Sequence, residues 1–213
     1  PRLHRREAER MRVPGIMSFM SGCCRSGVCE EIFKPRIARK SLRRYRKKGL
    51  DKIERRMVAS VPATELDGAR ILEIGGGIGA LQAELLESGA ERGEVVELVS
   101  SYEPYALELA REKGLEDRVT YRVADVLEDE SDDPADVVLL SRVVCCSPDG
   151  IELAGAAAPL ARRTLVLSFR RDELWIGAWI RLVNAGQRLL RRSFRVFLHP
   201  PSALVAAAEG EGL

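Results

Sequence analysis

The chain has 213 residues, 46% of them hydrophobic and 31% charged, enough for one domain with a sizeable core and unlike a fibrous or low-complexity sequence. The formal net charge of +2 hides an asymmetry: residues 1–57 carry 18 Lys/Arg against 6 Asp/Glu, and the remainder 16 against 26. A basic head on an acidic body implies either an intramolecular contact or an anionic partner.

In chain order, PRLHRREAER reads as a charged leader, with Met11, Met17 or Met20 as candidate starts. From 34 to 57, apolar residues at Ile37, Leu42, Tyr45, Leu50, Ile53 and Met57 predict one or two amphipathic helices broken at Gly49, with 12 basic residues making the outer face cationic. Strands and helices then alternate. ARILEIG (69–75) reads as a buried strand, followed by a glycine turn and the helix ALQAELLES (80–88), closed by Gly89. GEVVELVS (93–100) is the second strand and PYALELAREK (104–113) the second helix, with Pro104 in its first turn and Gly114 behind it. DRVTYRVAD (117–125) and ADVVLLS (135–141) are the third and fourth strands, DGIELAGAAAPLA (149–161) is helical, and RTLVLSF (163–169) is the fifth strand. This alternation predicts an α/β protein with a doubly wound, mainly parallel, Rossmann-like sheet in three α/β/α layers. Residues 1–60 are expected to form a basic helical cap ahead of the Rossmann-like domain over 61–213. A longer helix over 173–192 carries Trp175 and Trp179 one turn apart; it could touch a membrane surface, but packing as a lid over an apolar pocket is the favoured expectation, and Pro200 and Pro201 open a last helix.

No run reaches the roughly 18 apolar residues that a membrane span needs; the best, LWIGAWIRLVNAGQRLL (174–190), is interrupted by Arg181, Asn184 and Arg188. The five cysteines, Cys23, Cys24, Cys29, Cys145 and Cys146, are odd in number with no signal-peptide pattern before them. That favours free thiols in a reducing cytoplasm over a disulfide framework.

The stretch ILEIGGGIGAL (71–81) puts four glycines into five positions. Such density weakens a helix or strand interior but suits a turn where backbone must approach a ligand under a helix N-terminus. Gly75, Gly77 and Ala80 satisfy G-x-G-x-x-A, the dinucleotide pattern; Glu73, Gly75, Gly77 and Gly79 equally satisfy E-x-G-x-G-x-G. A carboxylate at the mouth of the turn repels a pyrophosphate and suits a cationic ligand. Glu97 closes the second strand 18 residues beyond Gly79, where an acid accepts hydrogen bonds from ribose hydroxyls, with Glu103 as the rival acid. Asp125, followed by Val126, lies just past the third strand.

The second pattern, with acids closing three successive strands, resembles the class I S-adenosylmethionine-dependent methyltransferases over about residues 65–170. The resemblance implies S-adenosylmethionine as cofactor and S-adenosylhomocysteine as product. Glu73 with Gly75, Gly77 and Gly79 would hold the methionine end, Glu97 with Leu98 the ribose, and Asp125 with the Val126 N–H the adenine. It also implies a sixth and seventh strand, which this chain ends before, so a truncated C-terminus is expected. Tyr45 and Tyr102 are candidate cofactor walls, and Ser141 a further cofactor contact. SRVVCCSPD, after the fourth strand, places Arg142, Cys145 and Cys146 on the acceptor side, with Arg142 either orienting an anionic group or making a surface salt bridge. The cysteine pairs suggest zinc or a thiophilic metalloid if they converge, but lack C-x-x-C spacing; free buried thiols are the default, and no metal is expected. His199, one of two histidines with His4, is a candidate general base or a structural loop residue.

These readings favour methylation of a small molecule at oxygen, nitrogen or carbon, chiefly by alignment. The alternatives are an RNA methyltransferase guided by the basic helix, an NAD-dependent oxidoreductase and a non-catalytic cofactor-binding scaffold. The basic helix has no interleaved aromatic platform, and no Asn/Asp-Pro-Pro-Tyr-type tetrapeptide follows the fourth strand, which weighs against a nucleic-acid partner.

Overall fold

A computed structural model describes residues 32–129, 133–170 and 174–210. His4, Met11, Met17, Met20, Cys23, Cys24 and Cys29 lie outside the described residues.

Five short apolar runs form the strands β1 (Arg70–Ile74), β2 (Arg92–Glu97), β3 (Val119–Val123), β4 (Ala135–Ser141) and β5 (Ala161–Ser168). All neighbours are parallel, in the order β3-β2-β1-β4-β5. The helices are α1 (Pro35–Lys48), α2 (Lys52–Ser60), α3 (Ala80–Glu87), α4 (Glu103–Glu112), α5 (Gly150–Ala157), α6 (Leu174–Leu189) and α7 (Pro201–Glu209). From β1 the chain winds outward through β2 to β3, then crosses back to place β4 on the other side of β1. The crevice of such a sheet opens at that reversal, beyond the carboxyl ends of the strands.

Strand alternation sets the two packed layers. Ile71, Val137 and Leu139 face a cluster built with Ala38, Leu42, Tyr45, Met57, Leu81, Leu85 and Leu109 from α1 to α4. Leu72, Ile74, Val138 and Leu140 face the other way, onto Leu153, Ala154 and Ala157 of α5 and Leu204 of α7. The basic N-terminal helices thus share a core with the sheet. Gly49, at φ +64°, ends α1, and Asp51 begins α2 with a capping box, accepting from the Ile53 and Glu54 N–H groups while Glu54 accepts from the Asp51 N–H. Part of the cationic face is docked on acids: Arg46 of α1 pairs with Glu108 and Glu112 of α4.

Among the described residues β5 is the last strand, and its exposed Arg162 and Arg163 keep that sheet edge charged. The lid expected of α6 does not form. Trp175 and Trp179 are 67% and 58% exposed, because the helix buries its other face: Ile180 is covered, and the Asn184 amide bonds both the N–H and the carbonyl of Val196.

Candidate functional site

The loop between β1 and α3 takes its shape from left-handed glycines. Gly75, Gly77 and Gly79 have φ of +64°, +58° and +68°, which L side chains rarely adopt. Surroundings add most at Gly75 and Gly79. A Cβ on Gly75 would lie 2.5 Å from Cγ2 of Val143, and one on Gly79 would lie 3.0 Å from Nε2 of Gln82 and 3.1 Å from Cγ2 of Val95. One on Gly77 would lie 3.4 Å from the Tyr102 ring. Glu73 sits beneath the loop rather than at its outer mouth, with its Cδ 2.7 Å from where a Gly76 Cβ would be. β1 turns this side chain towards α3, and Oε2 accepts from the Gln82 N–H of that helix's first turn at 3.2 Å. Burial pushes the Glu73 carboxyl up to about 8, the Gln82 N–H opposing this and the Glu54 and Glu97 charges adding to it. Glu97 pins the loop from β2: its Oε2 accepts from the Gly77 N–H at 2.9 Å. Burial raises its pKa too, against the N–H groups of Gly77, Leu98 and Val99.

Two cavities meet at Gly75. The first, about 250 Å³, is lined on one side by Glu97, Leu98, Asp125 and Val126 and on the other by Val143, Cys146 and Pro148. Among the described residues its charged lining is all acidic: Glu97, Asp125, Glu128, Asp149 and Glu152. Asp125 accepts from the Leu127 N–H through Oδ1 at 3.0 Å, fixing the turn after β3. The second cavity, about 350 Å³, lies between the glycine loop and the N-terminal helices, and its lining includes Glu73, Gly77, Tyr102, Ser141 and Arg142. Ser41 and Arg44 of α1 and Asp51 and Glu54 of α2 close it. Arg142 bonds Asp51 across it, and Arg44 holds both Glu54 oxygens at 3.1 Å. Among the described residues Arg142 is also one of two non-glycine residues with positive φ, at 60°.

No protein-family model matches the chain, and no curated protein matches it in sequence. Solved structures do match in fold. Magnesium protoporphyrin IX methyltransferase from Synechocystis PCC 6803, solved with bound SAH, superposes with a TM-score of 0.67 at 19% identity over 87% of this chain and 88% of that one. An O-methyltransferase family protein from Burkholderia thailandensis gives 0.64 at 16% identity, over 83% of this chain and 53% of that one. The fold is that of the class I S-adenosylmethionine-dependent methyltransferases. The [4+2]-cyclase SpnF also matches, with a TM-score of 0.52 at 14% identity over 75% of this chain and 57% of that one, so the chemistry has to be argued from the site.

On this methyltransferase fold the residues of interest separate into those that line the cleft and those that support it. Glu73, Gly75, Gly77, Glu97, Leu98, Asp125, Val126, Ser141 and Arg142 line one or both cavities. Gly79 lines neither. It is the left-handed residue before α3, packed against Gln82 and Val95. Tyr45 also lines neither, because its hydroxyl donates to Glu84 on the far side of α1, with the Lys113 ammonium 5.4 Å from its ring centre; Tyr102 alone of the two tyrosines reaches the cleft. His199 does not enter the acceptor space. Its Nε2 donates to the Ser147 carbonyl at 2.9 Å and its ring stacks on Phe197, bracing the loop after β4 from behind. Cys146 lines the first cavity, whereas Cys145 is buried behind it. The two sulfurs lie 4.0 Å apart, and the Cys146 thiol, with Arg170, holds the Cys145 thiol down at about 6. Among the described residues no three His, Cys, Asp or Glu side chains gather as metal ligands. Ser41, Arg44, Asp51 and Glu54 were not legible as site residues. The D-x-x-E capping box was the one available signal, and it speaks of a helix start rather than a cavity.

Proposed function

We propose that this chain binds S-adenosylmethionine across the two cavities and transfers its methyl group to a small-molecule acceptor in the cytoplasm. The observation that carries the reading is the charge of the first cavity, lined among the described residues by five acids and no Lys or Arg, which suits an uncharged nucleoside and repels the pyrophosphate of a dinucleotide. Glycines whose Cβ positions are taken by Val143 and Glu73 leave a cradle of bare backbone for the ligand's midsection. S-adenosylmethionine, when bound, supplies a methyl on a sulfonium sulfur, open to in-line displacement. In this reading Asp125 and the Val126 N–H hold the adenine edge. Glu97 presents the ribose with whatever acceptor capacity the Gly77 bond leaves. Glu73, a buried acid behind the loop, attracts the ammonium of the methionine end, and Arg44 or Arg142 faces its carboxylate.

The second cavity then has two roles: it seats the methionine end and admits the acceptor beside Tyr102, Ser141 and Arg142. Rate comes mainly from holding nucleophile and methyl in line, an account that requires no general base. Isothermal calorimetry tests the reading. Micromolar binding of S-adenosylhomocysteine with none of NAD is expected, and Glu97→Ala should weaken it by about 1–3 kcal/mol. NAD binding, or an unchanged affinity in Glu97→Ala and Asp125→Ala, overturns the assignment.

A further inference from the structure

We propose that α6 is an interfacial anchor that docks this protein on an anionic phospholipid surface. Positions 175, 179, 182, 186 and 189 are spaced by four and three residues, so they fall on one stripe of the helix. Along that stripe Trp179, Leu182 and Leu189 are 58%, 66% and 86% exposed, and Leu190 adjoins it at 62%. The opposite face is already used, through Ile180 and the Asn184–Val196 bonds, to seat the helix on the chain's own return segment. The outer stripe therefore points outward while the helix stays fixed.

Within the helix and its return segment the charge is one-sided. From Leu174 to Ala208 there is no Asp or Glu, while Arg181, Arg188, Arg191, Arg192 and Arg195 all fall in the same span. Asp172 and Glu173 come before this span and Glu209 after it. None of the five pairs with a carboxylate among the described residues. An apolar stripe containing tryptophan, flanked by arginines and free of acids, matches a helix that lies in the headgroup region of an anionic bilayer. No helix among the described residues is long and apolar enough to cross the membrane. A second copy of the chain fits less well, because face-to-face pairing would bring two sets of five arginines together. RNA fits less well too, since exposed leucines offer its bases no stacking platform.

The anchor has a route to the cleft. Phe194, on the return segment, meets Phe33 edge-on at 6.0 Å between ring centres, and Phe33 lies 6.2 Å from Tyr102, which lines the second cavity. If the methyl-transfer reading holds, docking presents that cavity to an acceptor partitioned into the bilayer; the docking itself does not depend on that reading.

The test uses the full chain with phosphatidylcholine vesicles, with and without phosphatidylglycerol. Both tryptophans of the chain lie on α6, so the intrinsic emission reports directly on this helix. A blue shift and co-flotation with the anionic vesicles are expected, with partitioning about tenfold or more weaker on neutral vesicles or in high salt. Trp179→Ser with Leu182→Ser, and separately Arg188→Glu with Arg192→Glu, should each lower partitioning about tenfold or more while leaving S-adenosylhomocysteine affinity unchanged. Absence of flotation on anionic vesicles overturns the proposal. So does a dimer that shields the tryptophans without lipid, or RNA retention that the same variants abolish while vesicles are ignored. Loss of cofactor binding with flotation intact would sink the methyltransferase reading and leave the anchor standing.

Discussion

Glu73 is the residue on which sequence and structure place different weights. Its position before the glycines is plain from the sequence, but its depth is not, because the strand's alternation turns it under the loop and onto the Gln82 N–H. With its folded-state pKa near 8 rather than the ordinary 4.5, the native chain keeps a proton that the unfolded chain gives up as pH rises from about 4.5. Stability then falls with rising pH across that window and levels off above about 8, by on the order of 5 kcal/mol for this group. Glu73→Gln keeps an acceptor for the Gln82 N–H and removes the titration, so its urea-unfolding free energy should vary much less between pH 5 and 8 than that of the parent. A parallel dependence in both proteins would show that Glu73 does not titrate there. The same buried acid should link cofactor to protons. An ammonium brought near it lowers its pKa, so S-adenosylhomocysteine binding near pH 7 should release up to about one proton and tighten as pH rises towards 8. Calorimetry in two buffers of different ionisation enthalpy reads this directly, and Glu73→Gln should release none.

Among the elements, the hinge between α1 and α2 does the most to build the second cavity. Gly49 was readable locally as a helix break, whereas the Asp51–Glu54 box emerges with the folded helix start. The meeting of Asp51 with Arg142, 91 residues further on, was not readable either, since only the folded sheet brings β4's end under the cap. Asp51 therefore has two jobs of unequal weight. As a capping box it should contribute about 1–2 kcal/mol, whereas its pair with the 44% exposed Arg142 side chain should contribute well under about 1 kcal/mol. Asp51→Ala is thus expected to lower stability clearly more than Arg142→Ala. Arg142→Gly should be no worse than Arg142→Ala, because glycine accepts the φ of 60° without the cost, about 1 kcal/mol, that a Cβ brings there. Equal losses in Asp51→Ala and Arg142→Ala, or a double-mutant coupling above about 2 kcal/mol, would mean that the ion pair and not the cap holds α2 in place.

At the scale of the whole molecule, strand and helix alternation made the sheet and its layers legible, since each βαβ unit carries its own local signals. What it left open was which surface each terminal element covers: α6 showed an amphipathic repeat without saying which stripe would be buried, and the N-terminal helices showed basic charge without their place in the core. Their place is decisive for how the molecule unfolds. Leu42, Tyr45 and Met57 belong to the same cluster as Ile71, Leu85 and Val137, so the boundary near residue 60 runs through one packed body. Thermal unfolding should accordingly be a single cooperative transition by calorimetry, with equal calorimetric and van't Hoff enthalpies. Because the cleft has walls from both the cap and the sheet, a ligand filling it stabilises the pair together: at a hundredfold excess over its Kd, S-adenosylhomocysteine should add about 2.7 kcal/mol and move the whole transition up by roughly 5–10 °C. Two transitions, with only the upper one moved by ligand, would instead make the cap a separately folding appendage and remove α1 and α2 from the cofactor site.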